Sequence, residues 1–171
     1  TSSAASDVYK RQGQQNVFIG YQAGKEATTS DGCTVVGRFA GGASGTMTGN
    51  LNTYIGNSAG AAATSGANNT VVGAGAGDAI TTGSENTIMG EEAGGAITIG
   101  DHNVLIGNHS GDDIVVERRN VAVGNNALSA HRTTASSVND TGNTALGFYA
   151  GATITTGSGN TCIGQNALAT R

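Results

Sequence analysis

Apolar and polar positions along this chain repeat in one phrase. An asparagine is followed by a β-branched residue, an apolar residue, a large aliphatic residue and a glycine, as in Asn103-Val104-Leu105-Ile106-Gly107. The closing glycines fall at Gly20, Gly37, Gly56, Gly73, Gly90, Gly107, Gly124, Gly147 and Gly164, in steps of 17, 19, 17, 17, 17, 17, 23 and 17 residues. A fixed period of this length over most of a chain marks a repeat architecture. Residues 15–171 are predicted to form the repeat domain, and residues 1–14 a non-repeating tail.

Within the phrase, the residue three before the glycine is always Val or Thr, apart from no exception in nine coils, which favours a strand. A small-residue pair follows the glycine corner, and then a second short Thr-rich segment such as Ile80-Thr81-Thr82 or Ile154-Thr155-Thr156, expected to be a second strand. Strands this short leave no room for hairpins inside one period. They can pair in parallel with the same strand of the next coil. The expected fold is therefore all-β: a parallel β-solenoid, or β-roll, of about nine coils with a 17-residue period.

Stacking places identical positions above one another at about 4.8 Å. Asn16, Asn52, Asn69, Asn86, Asn103, Asn120, Asn143 and Asn160 then form an amide ladder, with Cys33 in the same position of the second coil. Such a ladder satisfies buried polar groups, so these asparagines are expected to be structural. Alternation places the residue two before the glycine on the opposite face from its neighbours. If Val104 and Ile106 line the coil interior, then Phe18, Val35, Tyr54, Val71, Ile88 and Leu105 point outward and are the candidate oligomer interface. An apolar outer face needs a cover, and identical chains around a common axis would supply one.

The 23-residue step carries an insertion at 129–140. Insertions in solenoids leave the coil as loops. His131, Arg132, Thr133, Asn139 and Asp140 are accordingly the candidate ligand-binding loop.

Composition narrows the function classes. The chain has 29 glycines, no proline, 12% charged residues and a net charge of −4, so nothing favours nucleic acid or an anionic membrane surface. It lacks a run of 18 apolar residues that would span a bilayer as a helix. His102, His109 and His131 recur in no fixed position, although His109 falls one coil above Glu92. No spacing matches a metal site, a phosphate-binding loop or a catalytic constellation, so no cofactor, metal or enzymatic activity is expected. The two cysteines lie too many coils apart for a bridge. Thr arrays on flat solenoid faces can bind ice. The array expected here, on the second strand, is broken by Val115 and Val116.

The phrase Asn52-Thr-Tyr-Ile-Gly-Asn-Ser-Ala-Gly60, repeated at 86–94, resembles the Gly/Asn-rich repeats of bacteriophage tail-fibre proteins and the heads of trimeric autotransporter adhesins. The resemblance covers residues 15–168. It implies a left-handed, homotrimeric β-roll on a bacterial surface or virion fibre, serving attachment to a surface polysaccharide or matrix ligand. No neck, stalk or chaperone segment follows, which implies a piece of a longer fibre. Residues 1–12 resemble translated sequencing-adapter read-through. The alternative reading is a single-chain solenoid that polymerises end to end into an extracellular filament.

Overall fold

The computed structural model describes residues 13–132 and 139–169. It is all-β, with no helix among the described residues. Eleven short strands follow one another: β1 (Val17–Ile19), β2 (Thr34–Val36), β3 (Thr53–Ile55), β4 (Thr70–Val72), β5 (Thr87–Met89), β6 (Val104–Ile106), β7 (Glu117–Arg118), β8 (Val121–Val123), β9 (Asn139–Asp140), β10 (Thr144–Leu146) and β11 (Thr161–Ile163). Nine of them form one parallel sheet in the order β1-β2-β3-β4-β5-β6-β8-β10-β11. Pairing is in register with the repeat: Thr70 opposes Thr87, Val71 opposes Ile88 and Val72 opposes Met89. The solenoid expected from the period is the fold.

Each coil turns through residues with positive φ. In the fifth coil these are Glu85 (59°), Gly90 (135°), Glu92 (52°) and Gly94 (55°). The sheet glycine has two reasons to lack a side chain. Its φ suits glycine, and a Cβ on Gly73 would lie 2.2 Å from the Gly90 carbonyl oxygen of the next coil. The next corner glycine packs under the core: a Cβ on Gly94 would meet a Leu105 methyl at 2.8 Å.

The second Thr-rich segment is not a strand. Thr81 and Thr82 lie in a bend, and the coils meet there through N–H groups that converge on one carbonyl: Thr81, Thr82 and Gly83 donate to Thr98 O at 2.9, 3.2 and 3.2 Å. The threonine hydroxyls add bonds of their own: Thr64 Oγ1 donates to Thr81 O at 2.9 Å, and Thr81 Oγ1 to Thr98 O at 3.0 Å. The positive-φ corner at Gly77 turns the chain just before this segment, so it bends where a ladder would need extended backbone. A two-stranded pairing of β7 with β9 occurs only beside the insertion, among the described residues.

The core runs the length of the coil stack. Val35, Tyr54, Val71, Ile88, Leu105, Ala122 and Ala145 are fully buried at its sheet side, faced by Ile80, Ile97, Ile114 and Ile154. Small residues three after the glycine, among them Ala59, Ala76, Ala93 and Ser110, fill the remaining space. Burying each large aliphatic side chain contributes about 1.5–3 kcal/mol.

Candidate functional site

The amide ladder forms as the register requires. Asn86 Nδ2 donates to Asn69 Oδ1 at 3.1 Å and to Gly100 O at 2.9 Å. Its own Oδ1 accepts from Asn103 N at 3.0 Å and Asn103 Nδ2 at 3.1 Å. The same pattern links Asn52 to Asn69, and Asn103 to Asn120 and Asn86. Asn16 Oδ1 accepts from Cys33 N at 2.8 Å, and the Cys33 thiol turns instead to the carbonyls of Gly49 and Asp31. Burial raises the pKa of both Cys33 and Cys162, which are free. From Asn16 through Asn143, both side-chain amide atoms of each ladder asparagine are bonded within the stack.

The candidate oligomer interface is corrected. Val35, Tyr54, Val71, Ile88 and Leu105 are fully buried inside the chain's own coils, and Phe18 is partly buried against the same core. The outward positions are their neighbours. Val17 (46% exposed), Ile19 (58%), Ile55 (38%), Met89 (42%), Leu146 (47%) and Ile163 (67%) face solvent, with Val36, Val72, Ile106 and Val123 half-buried between them. Alternation was read correctly, but its phase was not. The phase follows from the corner: the side chain two before the sheet glycine is the one that lies over the small residues beyond it, as Tyr54 and Leu105 do over Gly60 and Gly94.

Two columns therefore stand on the outer sheet face. One is Ile19, Val36, Ile55, Val72, Met89, Ile106, Val123, Leu146 and Ile163. The other is Val17, Thr34, Thr53, Thr70, Thr87, Val104, Val121, Thr144 and Thr161. Neither holds a charged residue.

The candidate ligand-binding loop is corrected in part. His131 is fully buried. It stands seven residues after Gly124, the position that Ile80, Ile97, Ile114 and Ile154 occupy after their own glycines. Counting from the glycine would have placed it in the core. Asn143 Nδ2 donates to Gly157 O at 2.8 Å and meets His131 Nε2 at 3.2 Å, while Thr141 Oγ1 donates to Asn120 Oδ1 at 2.9 Å. The ladder crosses the insertion through Asn143 N–H to Asn120 Oδ1 at 3.0 Å, and histidine and threonine replace only the bond from Asn143 Nδ2 to Asn120 Oδ1. Burial lowers the His131 pKa, opposed by the nearby Glu117 charge and by the Ile154 and Thr155 backbone, although Nδ1 makes no hydrogen bond of good geometry. Glu117 is itself buried, its Oε2 accepting from Val115 N at 2.7 Å and Val116 N at 3.0 Å.

Of the remaining loop residues, Arg132 is exposed and its N–H donates to Thr155 O at 2.8 Å. Asn139 and Asp140 form β9, and Asp140 pairs with Arg119. Thr133 lies outside the described residues.

His109 sits 3.9 Å from Glu92, as the register expects, and closer to Asp112 at 3.2 Å. Asp78 stands in the same acidic region and its pKa is raised, first by burial and then by the Glu92 and Asp112 charges. Among the described residues no group of three or more His, Cys, Asp or Glu side chains is placed to hold a metal ion. No family model, characterised protein or solved structure matches the chain.

Proposed function

We propose that this chain is a non-enzymatic structural and adhesive fibre segment that associates as a homotrimer of left-handed β-rolls. It would stand outside the cell, on a bacterial surface or a virion fibre, and attach to a surface polysaccharide or matrix ligand. The observation that carries association is the outer sheet face: two uncharged columns continuous over nine strands, with six large aliphatics more than a third exposed. A contiguous apolar stripe of this kind marks an interaction surface. The resemblance of the repeat to tail-fibre and adhesin-head sequences supports the copy number, handedness and location.

Light scattering tests this reading. The expected mass is that of three chains, and Ile106→Asp is expected to give a single-chain mass with the β circular dichroism retained. A single-chain mass for the unaltered protein would overturn the trimer. A mass that grows with concentration would favour the end-to-end filament.

One observation favours a second reading. Thr34, Thr53, Thr70 and Thr87 stand in register on four successive strands of the outer face, and not on the bend where a threonine array was expected. At about 4.8 Å spacing these hydroxyls and methyls form the flat, regular array that ice binding requires. Thermal hysteresis of the unaltered protein, abolished in Thr70→Lys, would establish it. A freezing point that tracks ordinary solute concentration would remove it.

A further inference from the structure

Four aromatic side chains stand on the corner that follows the sheet glycine, and the core uses none of them. The core takes Phe18 and Tyr54 instead. Tyr21 (65% exposed) and Phe39 sit at one end of the stack, their ring centroids 5.5 Å apart at 70°. Phe148 (48%) and Tyr149 (38%) sit near the other end, 4.6 Å apart at 75°. The Arg38 guanidinium lies over the Phe39 ring at 4.1 Å.

Two of these rings are carried on disfavoured backbone. Phe39 has φ 58° and Tyr149 φ 55°. Left-handed backbone is uncommon for a bulky residue and adds strain. The coil does not require a ring there: every coil has positive φ at this place, and Gln22, Ser58, Gly75, Glu92, His109, Asn126 and Asn166 hold it elsewhere. Rings at a corner where small and polar residues suffice, three of them more than a third exposed, point to use outside the coil.

The corner between the ring pairs is polar and ordered. Asn108 Nδ2 donates to Glu91 Oε2 at 3.2 Å, and Asn125 Nδ2 to Asn108 Oδ1 at 2.9 Å. From β2 to β10 the sheet takes six strand steps, about 29 Å at the usual spacing. The corner is therefore a continuous track with an aromatic pair near each end and amides and carboxylates along it.

We propose that this track binds a linear neutral polysaccharide. The apolar C–H faces of successive sugars would stack on the Tyr21–Phe39 and Phe148–Tyr149 pairs. Their hydroxyls would donate to Glu91 and exchange bonds with the Asn108 and Asn125 amides. Exposed Glu91 and Glu92 disfavour a polyanionic glycan on the same track. This rests on the reading of the chain as an attachment segment, and it moves ligand recognition from the insertion, where His131 is buried, to the corner.

Native affinity electrophoresis of the full chain tests it, in gels cast with mannan, β-glucan or xylan as neutral probes and polygalacturonate as the anionic one. Retardation is expected in at least one neutral gel and not with polygalacturonate. The pair Phe148→Ala, Tyr149→Gly should weaken it at least tenfold, and so should Phe39→Gly. The melting temperature should hold or rise in the two glycine variants, because glycine relieves the strained φ; a ring with only a structural role would lower it. No retardation by any neutral probe, retardation by polygalacturonate alone, or retardation unchanged by the variants would overturn the track. Light scattering on the same samples separates the two readings. A three-chain mass without retardation overturns the track and leaves the fibre segment standing. A mass that falls when the rings are removed makes them a chain-to-chain contact, and overturns the track as well.

Discussion

Leu105 and Ile106 are neighbours in β6, of equal size and equal apolar character, yet Leu105 is fully buried and Ile106 keeps part of its surface in water. The same contrast runs the length of the sheet. Its inner face packs against Ile80, Ile97 and Ile114 of the chain's own coils, whereas six large apolar residues of its outer face stand more than a third exposed. Both faces are apolar, so hydrophobicity does not distinguish a core from a surface waiting for a partner. The contacts beyond the glycine corner do.

Charging the two faces breaks this comparison most sharply. Leu105→Asp places a carboxylate in a core with no partner for it and should cost on the order of 4–5 kcal/mol or more, enough to prevent folding. Ile106→Asp should leave the circular dichroism and the melting temperature of the isolated chain nearly unchanged. Equal loss of fold in both variants would mean that the outer face is also core.

A smaller effect is expected from the polar seam that borders the inner face. Asn86→Ala removes an acceptor for two donors of Asn103 and a donor to Asn69 and Gly100. Leaving buried groups unpaired should cost about 2–4 kcal/mol, read by chemical denaturation. An Asn57→Ala change on the exposed corner should cost almost nothing.

The part of the seam beside the insertion adds a pH dependence of its own through His131. His131 has a lowered pKa when folded, so the unfolded chain binds its proton first, near the ordinary value of 6.5. Stability should therefore be full above that value, fall as pH drops through it, and level off below the folded pKa. His131→Gln should flatten this slope between pH 7.5 and 5. A slope that survives the substitution would assign it to another group.

The smallest effect sharpens the inner face itself. The Tyr54 hydroxyl is buried beside Asn69 without a hydrogen bond of good geometry, and burial raises its pKa. Tyr54→Phe should leave stability unchanged or raise it by up to about 1 kcal/mol in thermal denaturation.

Much of the architecture was legible because it depends on period alone. Equal steps between glycines place Asn above Asn and Ile above Val whatever the shape of the coil, so the parallel register and the amide ladder followed from counting. The same count would have placed His131 in the isoleucine column. The longer step hides it, because the coil continues through Leu128 to His131 before the insertion departs.

By itself the sequence determined the repeat, the position of the one strand per coil that builds the sheet, the register and the apolar residues on both sheet faces, since each is a property of spacing and residue type. Only the tertiary structure decided which face is inside. A three-residue strand carries no signal for its own phase, because alternation is unchanged when inside and outside are exchanged. The phase was set by the left-handed corners, which turn the chain back so that Leu105 lies over Gly94 and Gly111 and leave Ile106 facing outward.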